Sequence, residues 1–218
     1  MAFDPEHRLV LCVVPGERTA ENVAAVVEDF RRRTGGRLMN LITTDGYSAY
    51  EEAILDAYGE TVTPPRTGKR GRPRAPYKVA PTGLTYAVVE KTREKGRVVK
   101  VATRVVFGTM AAVIMALGMS RVSQSINTSF VERENATDRH RNARKARRTY
   151  RFSKHWRFHE AVTYLTLYIY NFCWPVRTLA VKDDRGRKQK RSPAMAAELT
   201  DHIWTMAEWF AMPAVRRC

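Results

Sequence analysis

A mixed α/β fold is what this chain predicts, on three observations. Residues 8–14 form a β-rich run closed by Pro15-Gly16, which reads as a strand and a turn. Thr19 is placed to cap a helix whose apolar residues Val23, Val26, Val27 and Phe30 recur at i, i+3, i+4 and i+7. Gly35-Gly36 ends that helix. Residues 38–43 then make a second strand, which stops at Thr44-Asp45-Gly46, with a short helix at 47–58. Strand, helix, strand, helix implies a sheet with parallel neighbours. Asp45 falls at the carboxyl end of its strand, where open α/β sheets place their chemistry. An Asp-Gly pair is equally at home as a turn or N-cap.

From residue 64 to 81 the composition shifts to Pro, Gly and basic residues, as in a flexible connection. Residues 84–91 and 97–107 are both β-rich and are separated by Glu94-Lys95-Gly96, so a hairpin is expected. A short helix follows at 109–119, then one capped by Ser129. A longer helix spans about 154–174, with Phe158, Val162, Leu165, Ile169 and Phe172 on one stripe expected to face a core. Residues 181–191 read as a polar basic linker. Ser192-Pro193 opens a last helical segment with Pro at its first position. The aromatics Trp204, Trp209 and Phe210 are expected to form a packing face. Four segments result: 1–62, a partial core with Asp45; 63–108, a basic linker and hairpin insertion; 109–178, the basic helix and the long packing helix; and 179–218, a linker and C-terminal helical extension.

Charge narrows the function. The 218 residues carry 38 Lys or Arg against 22 Asp or Glu, a net charge of +16, and the distribution is uneven. Residues 1–60 hold six Lys or Arg against eleven acids, while 66–104 hold twelve against two. Residues 133–157 add ten more, opposed only by Glu134 and Asp138. Such segregation points to a long anionic partner, most simply nucleic acid. Cys12, Cys173 and Cys218 form no CxxC pair, so a zinc site or disulfide framework is not expected and a reducing cytosol fits. The start of the chain is polar, without the pattern of a secretory signal. The uncharged stretches 105–120 and 161–176 fall short of the ~20 residues a membrane span requires, so both are expected to be core helices. His155, His159 and His202 show no metal-binding spacing.

The tract from Asn127 to Lys154 is the most informative. It sets Glu132 near the start of a helix and then loads the chain with positive charge. Glu132 and Arg139, seven residues apart, share a helix face, with Ala136, Ala143 and Ala146 on roughly the same stripe. Small residues there would let the helix lie close against a sheet. Ser129-x-x-Glu132 fits a capping box as well, in which Glu132 only bonds its own helix end.

Thr43-Thr44-Asp45-Gly46-Tyr47-Ser48-Ala49-Tyr50, then Asn127–Thr137 with Arg139, then Phe152-Ser153-Lys154, closely resembles bacterial insertion-sequence transposases of the DDE class. The resemblance runs from Phe3 to about Trp209. It implies an RNase H-like mixed sheet with flanking helices, in which three acids hold two divalent ions. Its second acid falls on Asp45 and its third on Glu132, as catalytic and metal-binding residues for Mg²⁺ or Mn²⁺. The family's basic residue beyond the third acid falls on Arg139, and its helix asparagine on Asn135. DNA would be held by Arg133, Asn135, Arg139, Arg144, Lys145, Arg147, Arg148 and Lys154.

The family's first acid lies on a strand that would precede Met1. Asp4 matches a turn position after that strand, so the reading is of an N-terminally truncated fold lacking one ligand. A downstream reading frame, joined to an upstream-frame product by frameshifting, a late start or a decayed copy would each account for it. The implied partners are DNA, both transposon ends and target, and further copies of the chain when active. The implied location is the bacterial cytoplasm, at the nucleoid. The alternative function is that of a non-catalytic DNA-binding transposase remnant that occupies transposon ends, or a repressor of transposition. Arg70-Gly71-Arg72-Pro73 matches the core of an AT-hook and fits a plain basic linker as well; either way Lys69, Arg70, Arg72 and Arg74 are expected to meet DNA by charge.

Overall fold

The computed structural model describes residues 1–65, 74–126 and 128–212, without the side chain of Arg93. Lys69, Arg70, Arg72, Asn127 and Cys218 lie outside the described residues. In chain order the elements are β1 (Ala2–Asp4), β2 (Leu9–Cys12), α1 (Ala20–Arg33), β3 (Ile42–Asp45), α2 (Ala49–Tyr58), β4 (Glu60–Val62), β5 (Tyr77–Val79), β6 (Tyr86–Glu94), β7 (Arg97–Phe107) and α3 (Met110–Met119). Then follow α4 (Ser129–Arg141), α5 (Trp156–Cys173), β8 (Val181–Lys182), β9 (Lys188–Gln189), α6 (Pro193–Ala196) and α7 (Met206–Ala211). The α/β class is thus present as small sheets with helices. The chain divides into two compact units, Gly16–Thr128 and Met1–Pro15 with Ser129–Cys218, so the expected segment 1–62 contributes to both.

The unit of residues 16–128 is built on a three-stranded sheet in the order β3-β6-β7. β3 runs parallel to β6, with Ile42 opposite Tyr86 and Asp45 opposite Val89. β6 and β7 form the long antiparallel hairpin that Glu94-Lys95-Gly96 predicts. The turn sits at Lys95 and Gly96, both left-handed. Parallel pairing is therefore present, but between β3 and β6; β2 pairs with β1 in the other unit. A local strand-helix-strand pattern marks strands, whereas partner choice depends on distant residues. Thr19 caps α1 as expected, its side chain accepting from Asn22 N–H. Val23 and Val27 of α1 and Ala53, Ile54 and Tyr58 of α2 pack on Leu84, Tyr86 and Val88. Gly108 ends β7 at φ +84°, where a Cβ would sit 3.0 Å from the Leu84 carbonyl oxygen, so only glycine suits that turn. α3 is capped by Thr109 but differs from the expected core helix. Val113 alone is buried, and Met110, Ile114, Met115 and Met119 are exposed.

The other unit has a different core. Val10 and Val13 pack against Leu167 and Tyr170 of α5. Asn171, only 3% exposed, closes the open edge of β2: its Oδ1 accepts from Val10 N–H at 3.0 Å and its Nδ2 donates to Val10 O at 2.8 Å. A side-chain amide thus does the work of a neighbouring strand. The buried face of α5 is Thr163, Leu167, Tyr170 and Asn171, and not the stripe of Phe158, Val162, Leu165, Ile169 and Phe172. Phe158 and Leu165 are exposed, while Phe172 meets Trp204 at 4.7 Å and Trp209 at 5.6 Å between ring centroids. Two of the three C-terminal aromatics form the expected packing face; Phe210 is exposed. Ser192 caps α6 with Pro193 in its first turn, and residues 181–191 contain the small β8–β9 hairpin instead of a plain linker. No helix among the described residues is long and apolar enough to cross a membrane.

Candidate nucleic-acid interface

Asp45 is the last residue of β3, and its side chain is half exposed. It does not act as a helix cap. Oδ1 accepts from Arg18 Nη2 at 2.7 Å, and the Arg18 guanidinium lies 4.4 Å from the centroid of the Tyr47 ring. Tyr47 in turn donates from its hydroxyl to Arg18 O at 3.3 Å. The strand before it is fixed by Thr44 Oγ1, 2.7 Å from the Tyr86 hydroxyl. A carboxylate at a strand end, solvent-facing and held by a surface cation, is available to a second cation of higher charge. Surface ion pairs of this kind contribute only about 0–1 kcal/mol.

Glu132 belongs to the other unit, in the first turn of α4, where it is exposed. The helix takes in Ser129 as its first residue and not as its cap, so it begins one position earlier than expected. Arg133, Ala136 and Arg139 are exposed as well, so Glu132 and Arg139 share the outward face; Ala136 is not buried against a sheet. α4 stops at Arg141, short of the continuous helix that the Ala136, Ala143 and Ala146 stripe suggests. Asn142 breaks it, its Oδ1 accepting from Arg144 N–H to open a single 3₁₀ turn, Ala143–Lys145. Arg144, Arg147, Arg148 and Lys154 are exposed, as is Arg74 in the other unit, and Asn135 is half-buried. Lys145 departs from the expected DNA-facing set. Its ammonium sits 2.6 Å from Asp138 Oδ2 with the pair largely buried, so it closes the turn after α4.

The inward face of α4 holds a carboxylate that sequence patterning missed. Glu134 is 6% exposed and lies in the field of Arg141, Asp138, Tyr170 and Arg8. Burial pushes its carboxyl above the ordinary range, outweighing the opposing pull of Arg141, the Tyr170 hydrogen bond and Arg8. Its Oε1 has no hydrogen-bond partner. Burial likewise raises the Tyr170 hydroxyl, and Arg141 lies over the Tyr170 and Trp174 rings at 4.4 and 4.5 Å. The available signal was the series Glu134, Asp138, Arg141 at i, i+4 and i+7, one helix stripe made of charges. A group whose folded pKa is raised stabilises fully below its unfolded pKa, and that contribution is lost as pH rises through the folded value. Glu134→Gln is therefore expected to raise the melting temperature at pH 8 by about 2–4 °C, the shift that ~1 kcal/mol gives in a chain of this size. The gain should vanish near pH 4, and thermal unfolding at the two pH values checks it.

Among the described residues, no three or more His, Cys, Asp or Glu side chains gather as a metal-holding group. Asp45 and Glu132 offer hard oxygen donors of the type that suits Mg²⁺ or Mn²⁺. Comparison with family models, curated proteins and solved structures found no match to the chain.

Proposed function

We propose that this chain is the catalytic region of a DDE-class transposase with an RNase H-like core, cutting and joining DNA at insertion-sequence ends. The observation that carries the reading is the ordered set of motifs around Asp45, Glu132 and Phe152-Ser153-Lys154. The parallel pairing of β3 with β6, with Asp45 at the strand end and a helix after it, supports it. So does α4, which presents Glu132 and Arg139 on one outward face. By the resemblance, Asp45 and Glu132 would each offer a carboxylate to divalent ions, two of the three acids that such chemistry requires. The bound ions would supply Lewis acidity for in-line displacement at phosphorus. Arg139 binds a DNA phosphate near Glu132, and Arg133, Arg144, Arg147, Arg148 and Lys154 neutralise backbone charge.

A second reading, non-catalytic occupation of transposon ends, is favoured by one observation: the Asp45 carboxylate is already engaged by Arg18. Both readings require DNA binding, and a salt titration tests it. Affinity for blunt duplex DNA should fall on the order of 10³-fold between about 50 and 200 mM salt if roughly six or more phosphates are contacted. Arg139→Ala should lessen the log–log slope by about 1 at every sequence tried. A salt-independent affinity would contradict both readings. Only the enzyme reading predicts divalent-ion-dependent nicking, in a form of the protein that carries all three acids.

A further inference from the structure

Where α4 ends, the chain builds a concavity of about 420 Å³ lined by Arg141, Asn142, Arg144, Arg151, Phe152 and Thr166 among others. Three arginines line one recess; Arg141 lies in the field of Glu134 and Asp138, while no carboxylate ion pair to Arg144 or Arg151 is seen among the described residues. The nearby acids are otherwise engaged. Asp138 is bonded to Lys145 and lies 3.5 Å from Thr166 Oγ1, and Glu134 is buried beside Arg141. Arg141 is held in place by the Tyr170 and Trp174 rings, and Arg144 by a 3.3 Å bond from Nη1 to Ser153 Oγ. Asn142, buried at 4% exposure, has a side-chain Nδ2 without a hydrogen-bond partner. Phe152, by contrast, is 60% exposed at the rim.

Planar guanidinium forks match phosphate oxygens. An aromatic face left in solvent beside them matches a nucleobase that is free to stack. The volume lies within the range of small-ligand sites and admits one nucleotide rather than a base pair. We infer that this recess takes a single unpaired nucleotide of a DNA strand, its phosphate on Arg144 and Arg151 and its base on Phe152. Within a duplex both faces of each base are covered by its neighbours, so Phe152 would find no partner there. The inference rests on the DNA-binding reading above and specifies where a frayed or cleaved end would be held.

Fluorescence anisotropy of the full chain tests it, with a blunt duplex and with the same duplex carrying a short unpaired 5′-phosphorylated extension. The extension should tighten binding about 10-fold or more. Phe152→Leu should abolish that gain and leave blunt-duplex affinity unchanged, while Phe152→Tyr, which keeps the ring, should retain it. Because Phe152 is exposed, neither variant threatens folding. Equal affinity for the two probes, or a gain that survives Phe152→Leu, overturns the pocket and leaves the DNA reading intact. Failure to bind the blunt duplex in a salt-dependent way overturns both.

Discussion

Asp45→Asn should, on the proposed function, reduce DNA strand transfer by more than ~100-fold in a form of the protein that carries all three acids, since even partners outside a metal's own ligand shell cost up to about that much. The amide keeps the shape of the carboxylate and its ability to accept from Arg18, but removes the charge that a hard divalent ion requires. Duplex affinity should stay within about twofold, because in the proposed function phosphate contacts would come from arginines and lysines and not from Asp45. Stability should move little as well: the Asp45–Arg18 pair is half exposed on both sides, and such pairs contribute about 0–1 kcal/mol. Strand-transfer yield, anisotropy and thermal unfolding on the same preparation separate the three quantities. Loss of transfer with loss of folding would place Asp45 in the structure and not in the chemistry.

The largest stability effect is expected at Asn171. Replacement by leucine keeps the volume but leaves Val10 N–H and Val10 O unpaired on a buried strand edge, since both are bonded to the Asn171 amide. Each orphaned group costs about 1–3 kcal/mol, so for the two a loss of roughly 2–6 kcal/mol is expected. That is a large share of the 5–15 kcal/mol that holds a typical domain together. Urea unfolding should show the lowered midpoint, and amide exchange at Val10 should accelerate. A variant that unfolds at the wild-type denaturant concentration would show that the amide does not close the edge of β2.

Asn171 also shows what can and cannot be read from the sequence. Local signals were legible: the Thr19 cap, the turn at Lys95-Gly96, the Ser192-Pro193 helix start and the strand ending at Asp45 all depend on residues within a few positions. The buried face of α5 was not. Hydrophobic periodicity selects Phe158, Val162, Leu165, Ile169 and Phe172, yet Thr163 and Asn171 turn inward because their polar groups find partners. Thr163 Oγ1 donates to His159 O at 2.7 Å, and Asn171 bonds a strand 161 positions away. Polar residues with satisfied hydrogen bonds bury at little cost, and no count of apolar residues anticipates them.

The same limit applied at the site. Glu132 and Glu134 lie two positions apart on α4, so one faces solvent while the other faces the core, and the pattern gives both equal weight. Lys145 looked like one cation among ten, but its pairing with Asp138 depends on a turn that Asn142 creates. The motifs that carry the resemblance stand out because each is contiguous in the sequence. The partner of β3 was not legible, because β6 lies some forty positions further on, Ile42 pairing with Tyr86.

End joining with Mg²⁺ and a labelled insertion-sequence end, by a form of the protein that carries all three acids, tests the proposed transposase function, wild type beside Glu132→Gln. Glu132 is exposed in the first turn of α4, so the substitution leaves the fold in place. Wild type should give Mg²⁺-dependent joined product and the variant more than ~100-fold less. Joining at the wild-type rate by Glu132→Gln would contradict that function.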